Sequence, residues 1–551
     1  MHLRRLLDSF ANSPSDPYLL GPVASEPGLG GLGYLTHLAA FLLGPLNWLV
    51  VLPPYGYYPL KIESVPWKVV LPKAMDRLKK IIPMLSSIRR ATATPSFSLG
   101  VLHQGEIVFT HCEGIKDTAT DPGSQVDLET AYLLGSLTKA FISASCGILV
   151  DEGKLEWEKP ISSYIPFRQV NDPIVSERTN LLDALSHSTG LPQIDISWYG
   201  AQGESILPPE DLFHVVNHIP LFPDFRAKLH YTNWMYALAG KIIEVQGGRD
   251  ADSGWGEFLQ RRIFGPLEMH RSCSNRQSLV DDNFTEPHTA LDNGRPGRLP
   301  IPDFSDKTIT GASAAVWSTV PDMLKWCKAV LSRLELELGQ RSETEDDQRN
   351  PLRQMRTILA HRFRVTEDTI NENSYALGWA RHVIPSSHLG WLSTNGPQHN
   401  HILGRDSRPR LLFYHGGQIT GYLNSIYLFP ETHSAVVVLT NAQGAGDCSD
   451  WIAQAVIQEL FDLKPELDFV QIAKQTASKQ LNQYEDMRKS YEGNRHQGTP
   501  EPSHDQLVGV YYNNNIKMTV DVLEDDGRLL LQFNHREVSP LESFIPPLGR
   551  F

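Results

Sequence analysis

Ser136 and Lys139 stand three residues apart in Gly135-Ser136-Leu137-Thr138-Lys139. At the start of a helix, that spacing sets a hydroxyl and an amine on one face, within hydrogen-bond reach. A serine hydroxyl is a weak nucleophile until a neighbouring base takes its proton. A lysine serves as that base only when uncharged, and full burial lowers its pKa by about 3–5 pH units. The flanks supply burial. Ala131-Tyr132-Leu133-Leu134 leads in, and Ala140 to Val150 is small and apolar almost all round. Such a helix is enclosed on every side. The pair is a candidate acyl-transfer centre, although the same spacing also arises by chance on solvated helices.

Two further elements carry suitable chemistry. Tyr231-Thr232-Asn233 precedes Trp234-Met235-Tyr236-Ala237-Leu238-Ala239-Gly240, which reads as a loop entering a buried helix. Beside a lysine, the Tyr231 phenol could shuttle a proton, since a cation stabilises phenolate. Asn233 could brace the lysine or donate to a substrate amide. The same Tyr-x-Asn spacing recurs at Tyr422-Leu423-Asn424 and Tyr511-Tyr512-Asn513, so spacing alone does not choose. The second element, Tyr414-His415-Gly416-Gly417-Gln418, lies at the end of an apolar strand and before the turn at Thr420-Gly421. Paired glycines let another backbone or a substrate approach a strand closely. A simple hairpin turn explains this pair equally well when it is taken alone.

Other chemistries find less support. No complete G-x-S-x-G nucleophile elbow is present. Gly28-Leu29-Gly30-Gly31-Leu32-Gly33 fits G-x-G-x-x-G, but Ser25-Glu26-Pro27 before it is loop-like rather than a strand. His399-Asn400-His401 has metal-like spacing in a polar loop without Cys or acidic partners nearby, so no metal or other cofactor is expected. The formal net charge of -13 argues against a nucleic-acid partner, which needs a basic footprint.

The 551 residues, 41% hydrophobic and 21% charged, read as a globular chain with room for more than one domain. Five scattered cysteines form neither a disulfide framework nor a zinc motif, which favours a reducing, cytoplasmic setting. Met1 to Phe10 lacks the apolar core of a secretory signal. Residues 32–52 contain no Asp, Glu, Lys or Arg and have the length of a membrane span. Gly44-Pro45 and Asn47 interrupt that run, so a buried or membrane-surface arm is expected, with membrane association as the alternative.

Four regions follow from the patterning. Residues 1–72 form an extension carrying the apolar segment. Residues 73–463 form the main domain, 464–502 a polar linker that also reads as helical, and 503–551 a small β unit expected to be incomplete at its end. Residues 73–88 have helical spacing, with Pro83 placed to split the helix. Strands are expected at 96–102 and 106–111, joined at His103-Gln104-Gly105, and again at 375–380, 411–414, 423–429 and 435–440. Residues 449–463 read as an amphipathic helix, and the charged stretch 340–351 as an exposed insertion. Strands thus bracket a helical middle. The fold class is α+β, an antiparallel sheet built from both parts of the chain, flanked by helices and interrupted by a helical insert.

Taken in order, these motifs resemble the serine β-lactamase and penicillin-binding-protein superfamily, in its class C β-lactamase, D,D-carboxypeptidase and esterase branch. Further segments extend the resemblance over residues 73–463. Leu149-Val150-Asp151-Glu152-Gly153-Lys154-Leu155 resembles the stretch after the nucleophile helix. Leu185-Ser186-His187-Ser188-Thr189-Gly190-Leu191-Pro192 is similar to the family loop L-L-x-H-T-S-G-L, with Ser188 and Thr189 exchanged. Ile263-Phe264-Gly265-Pro266-Leu267-Glu268-Met269 resembles P-L-G-M, and Ala376-Leu377-Gly378-Trp379 resembles Y-G-L-G-W.

The resemblance implies that Ser136 is the acylated nucleophile, Lys139 its base and Tyr231 the catalytic tyrosine. Asn233 is the third residue of the tyrosine motif. His415, Gly416 and Gly417 fall where β-lactamases carry Lys-Thr-Gly, and the N–H groups of Ser136 and Gln418 would form an oxyanion hole, each donor contributing about 3–4 kcal/mol. Histidine in place of lysine points away from antibiotic hydrolysis and toward esterases and transacylases, some of which serve secondary-metabolite biosynthesis. The expected function is therefore a serine hydrolase or acyltransferase. A small-molecule ester, thioester or amide is the acyl donor, and water or an alcohol is the acceptor. A catalytically silent ligand-binding protein of the same fold is the alternative.

Overall fold

The computed structural model describes residues 67–119, 124–200, 203–248, 254–366, 371–387, 389–396, 401–494 and 503–540. The apolar segment 32–52, the glycine-rich stretch at residues 28–33, and His399 and Asn400 lie outside these residues.

Two helices open the described chain, α1 (Trp67–Lys80) and α2 (Ile82–Ala91). The break falls at Ile81, and Pro83 sits in the first turn of α2, where its missing N–H costs nothing. Strands β1 (Ser96–His103) and β2 (Glu106–Gly114) form the expected hairpin. The chain then runs through helices that include α3 (Thr138–Asp151), α4 (Trp234–Gly247) and α5 (Val320–Glu337). It returns to the sheet through β3 (Phe363–Arg364), β4 (Asn373–Tyr375), β5 (Ala380–Ile384), β6 (Arg410–Ile419), β7 (Tyr422–Phe429) and β8 (Ser434–Thr440). Helices α6 (Cys448–Phe461) and α7 (Phe469–Asn494) follow.

The main sheet has eight strands in the order β2-β1-β8-β7-β6-β5-β4-β3, with antiparallel pairing throughout. Its two sources meet where β1 pairs with β8, Val101 opposite Val436. Both faces are covered, and alternate residues serve opposite cores. Val436 and Val438 join the core under α1, α2 and α6, whereas Val437 and Leu439 join the core under α3, α4 and α5. That double burial explains why β7 and β8 are buried at every residue and mostly apolar instead of alternating.

Two sequence expectations are corrected and one is narrowed. The single strand expected at 375–380 is two strands, because Gly378 takes φ +77 and turns the chain between β4 and β5. The linker region 464–502 carries α7, whose Phe469, Ile472 and Ala473 are buried against the sheet's helical layer; its polar residues lie on the remaining face. The stretch 340–351 is not simply exposed. Asp347 is buried, paired with Arg341, and Arg333 donates to the carbonyl oxygens of Asp347 and Asn350.

A second antiparallel sheet forms the C-terminal unit: β9 (Gly509–Asn513), β10 (Met518–Asp525), β11 (Arg528–Phe533) and β12 (Arg536–Pro540). It has four strands among the described residues. Asn534 and Arg536 donate to the carbonyl oxygens of Ile206 and Ser205, at 3.2 and 2.9 Å, which anchors the unit on the loop after Trp198-Tyr199.

The candidate motifs meet where β6 passes the short 3₁₀ turn Gly135–Leu137 that leads into α3. Contact is backbone to backbone. Gly135 has φ +58, and a Cβ there would lie 2.9 Å from the Gln418 carbonyl. A Cβ on Gly417 would collide with the Leu134 carbonyl oxygen. Neither obstacle is a flexible side chain. Gly417→Ala is therefore expected to destabilise the protein by about 1–3 kcal/mol, the usual cost of overpacking. Urea denaturation checks this; an unchanged midpoint would mean that the strand does not pass this close.

Candidate active site

Ser136 is the one part-exposed residue in the otherwise buried run 131–140. It lies in the 3₁₀ turn just before α3, not on the α-helix itself. In a 3₁₀ turn, side chains at i and i+3 eclipse, so Lys139 still falls directly behind it. The Lys139 Nζ lies 2.9 Å from Ser136 Oγ, 2.8 Å from Asn233 Oδ1 and 3.0 Å from the Ser313 carbonyl oxygen.

Those partners set the direction of the lone pair on a neutral Lys139 amine. A neutral amine has two N–H groups and one lone pair. Asn233 Oδ1 and the Ser313 carbonyl can only accept, so they use both N–H groups. The lone pair is left facing the Ser136 hydroxyl. Lys139 is 0% exposed. Burial lowers its pKa to about 7, against a smaller opposing pull from the Asp195 carboxylate. A substantial share of the molecules thus holds the free amine at neutral pH.

Tyr231 reaches the same oxygen from another side, its hydroxyl donating to Ser136 Oγ at 2.9 Å. Burial opposes the phenolate form that a neighbouring cation would favour. Burial pushes the Tyr231 pKa well above its ordinary value, with only a partial offset from the Ser136 hydrogen bond. The phenol keeps its proton and acts as a donor. His187 steadies it: the rings are 4.2 Å apart, and the Thr232 N–H donates to His187 Nδ1 at 3.1 Å. The rival Tyr-x-Asn matches lie elsewhere. Tyr422 donates to the Thr285 carbonyl, and Asn424 is buried and donates to the Leu133 carbonyl at 2.9 Å. Tyr511 and Asn513 belong to β9.

His415, Gly416 and Gly417 are all within β6, which continues past the 414 expected as its end. Gly417 lies against the turn that carries Ser136, while Gln418 is exposed in the cleft and lines it with Ser136. His415 is 1% exposed. Its Nδ1 donates to the Gly416 carbonyl at 2.6 Å, and the Tyr375 hydroxyl lies 2.9 Å from its Nε2. Burial, aided by the nearby Lys139 charge, pushes the His415 pKa down to about 3. The ring is a neutral imidazole and not a substitute cation.

The cleft in front of Ser136 encloses about 350 Å³. Trp198, Tyr199 and Trp391 form aromatic walls, and Gln193 and Gln443 lie on its surface. Sequence reasoning missed Asp195, which also lines it. Asn233 Nδ2 donates to Asp195 Oδ1 at 3.1 Å, and that bond orients the Asn233 carbonyl toward Lys139. No spacing rule marks Asp195; it follows the loop at residues 185–192, and only the fold returns that loop to Asn233. Tyr375 was likewise hidden inside a strand pattern.

The fold has a solved counterpart in the octameric penicillin-binding protein homologue from Pyrococcus abyssi. It aligns at a TM-score of 0.53 over 83% of this chain and 86% of that one, with 19% identity. The Beta-lactamase family model matches residues 84–459, and the chain belongs to that family. Among relatives, the unguisins hydrolase ungD' of Aspergillus campestris is 26% identical over 385 residues, 67% of this chain and 62% of that protein. Protein flp of Staphylococcus aureus is 22% identical over 357 residues, 63% of this chain and 59% of that protein. The match thus spans about three fifths of each relative's length.

The site geometry predicts a pH profile. Lys139 is competent only as the free amine, so protonation below its pKa removes the base. Acylation of Ser136 by an uncharged p-nitrophenyl ester should rise about tenfold per pH unit on the acid side and level off above about 7. A single-turnover profile that is flat between about pH 5 and 9 would contradict this assignment.

Proposed function

We propose that this protein is a serine hydrolase or transacylase that works through an acyl-enzyme on Ser136. The observation that carries the reading is the convergence of Lys139 Nζ and the Tyr231 hydroxyl on Ser136 Oγ, each at 2.9 Å. Family membership and the hydrolase name of one relative support it.

In this reading, Ser136 Oγ attacks the carbonyl carbon of an ester, thioester or amide, and its proton passes to the Lys139 lone pair. The backbone N–H groups of Ser136 and Gln418 hold the resulting oxyanion. As the tetrahedral intermediate collapses, the bond to the leaving group breaks. The leaving group takes a proton from Lys139, directly or through Tyr231. Water or an alcohol then attacks the Ser136 ester, giving up its proton to the same amine, and Ser136 leaves with a proton restored to its oxygen. Asn233 holds the amine in place, and Gly416 and Gly417 keep β6 close to the acyl group. Acyl transfer to an alcohol, as in a biosynthetic transesterase, differs from hydrolysis only in the second nucleophile.

Incubation with a fluorophosphonate or a p-nitrophenyl ester should leave a mass adduct on the peptide containing Ser136. Ser136→Ala should lose the adduct and lower turnover by at least about 10³-fold. Adding alcohols to the ester assay and quantifying both products separates hydrolysis from transfer. Turnover surviving Ser136→Ala would exclude the mechanism.

A further inference from the structure

The charge pattern of the cleft goes beyond the reaction type and indicates what kind of acyl donor it accepts. This inference rests on the acyl-enzyme reading of Ser136.

Three observations converge. The first is the His415 ring, at the β6 position where the sequence resemblance would put a lysine. A lysine there would offer a substrate carboxylate a cation. His415 instead has both nitrogens engaged, Nδ1 with the Gly416 carbonyl and Nε2 with the Tyr375 hydroxyl, and it is almost wholly buried. The second is that no Lys or Arg is among the described residues lining the cleft; Lys139 lies behind Ser136 and is fully buried.

The third is Asp195, the sole carboxylate on that lining. It is part-exposed. One of its oxygens accepts from Asn233 Nδ2 at 3.1 Å and the other from Gln193 Nε2 at 2.6 Å. Both donors are neutral amides, and the cation that couples to Asp195, Lys139, lies behind Asn233, is buried, and is partly neutral near pH 7, so the carboxylate keeps most of its charge toward the cleft. Each carboxylate oxygen also retains acceptor capacity. An ammonium group offers three donors and the opposite charge, whereas a carboxylate on the same atom of the substrate would meet like charge. Trp198 and Tyr199, stacked 5.3 Å apart beside Asp195, supply an apolar surface for the rest of the acyl chain.

We propose that the cleft selects acyl donors by charge, with Asp195 binding an ammonium group carried on the acyl chain and repelling donors that carry a carboxylate there. The preferred substrate class is an amino-substituted acyl ester or amide with an otherwise apolar body. Asp195 is thus a specificity residue for the Ser136 reaction.

Two isosteric sets of p-nitrophenyl esters test this with the full chain. The short set is β-alanyl, butyryl and hemisuccinyl; the long set is 6-aminohexanoyl, heptanoyl and pimeloyl. Within each, only the terminal group changes, from ammonium to methyl to carboxylate. In at least one set, kcat/KM for the ammonium ester should exceed that of the methyl ester by about threefold or more and that of the carboxylate ester by about thirtyfold or more. Asp195→Asn should bring all three within about threefold of one another. An ammonium ester no better than its methyl counterpart in both sets would overturn the inference, as would unchanged ratios in Asp195→Asn. The wild-type ratios decide the matter even if the variant fails to fold. Should none of the six esters acylate Ser136, the acyl-enzyme reading itself falls. Should the methyl esters acylate Ser136 with flat charge ratios, only the charge selection falls.

Discussion

A buried amine is the constraint on which the site depends. Lys139 is held out of water between Ser136, Asn233 and the Ser313 carbonyl, and its usefulness and its cost share one cause. Burial disfavours the ammonium form and so frees a base at neutral pH. The same burial opposes folding. In the unfolded chain this lysine keeps its proton up to its ordinary value of 10.5, whereas in the folded chain it loses it near 7. Between those values the unfolded state binds more protons, so this group's contribution to stability improves as pH rises and is least favourable on the acid side. The apolar helices α3 and α4 on either side give the surrounding core that tolerates this penalty.

Position is supplied by backbone rather than by side chains. The turn carrying Ser136 and strand β6 touch through Gly135 and Gly417, with no room for a Cβ at either residue. Asn424 ties the preceding segment to the sheet by donating to the Leu133 carbonyl while accepting from the Thr440 N–H. The turn carrying Ser136 is therefore held against buried strands of the sheet. The elements that shape the cleft are more varied: Trp391 comes from the loop between β5 and β6, and Trp198 from a loop that the C-terminal sheet anchors through Ser205 and Ile206. A fixed reaction centre with walls drawn from separate loops lets one architecture serve different acyl donors.

Much of this was legible in the sequence because the signals were local. The Ser136–Lys139 spacing, the apolar surroundings of α3 and α4, and the strand patterns on both sides of the helical middle all encode contacts within a few residues. The family resemblance then linked Tyr231, Asn233 and β6 across long separations. What stayed hidden depended on tertiary placement. Asp195 gains its role only through Asn233, 38 residues away. Tyr231 keeps its proton because neighbours distant in sequence bury it, which no reading of Tyr-x-Asn could supply. Polar composition likewise left α7 readable as helix or linker, although one side of its first turns is packed in the core.

The protonation state of Lys139 in the resting protein is the quantity to measure directly. Selective ¹³Cε labelling of lysine, with Lys139→Arg to assign the resonance, follows each amine through its titration by NMR. A single lysine signal with a midpoint near 7, absent from the variant, is the expected result. If every lysine titrates with the ordinary value of about 10.4, the amine is not a free base at neutral pH, and the account of how Ser136 is activated is wrong.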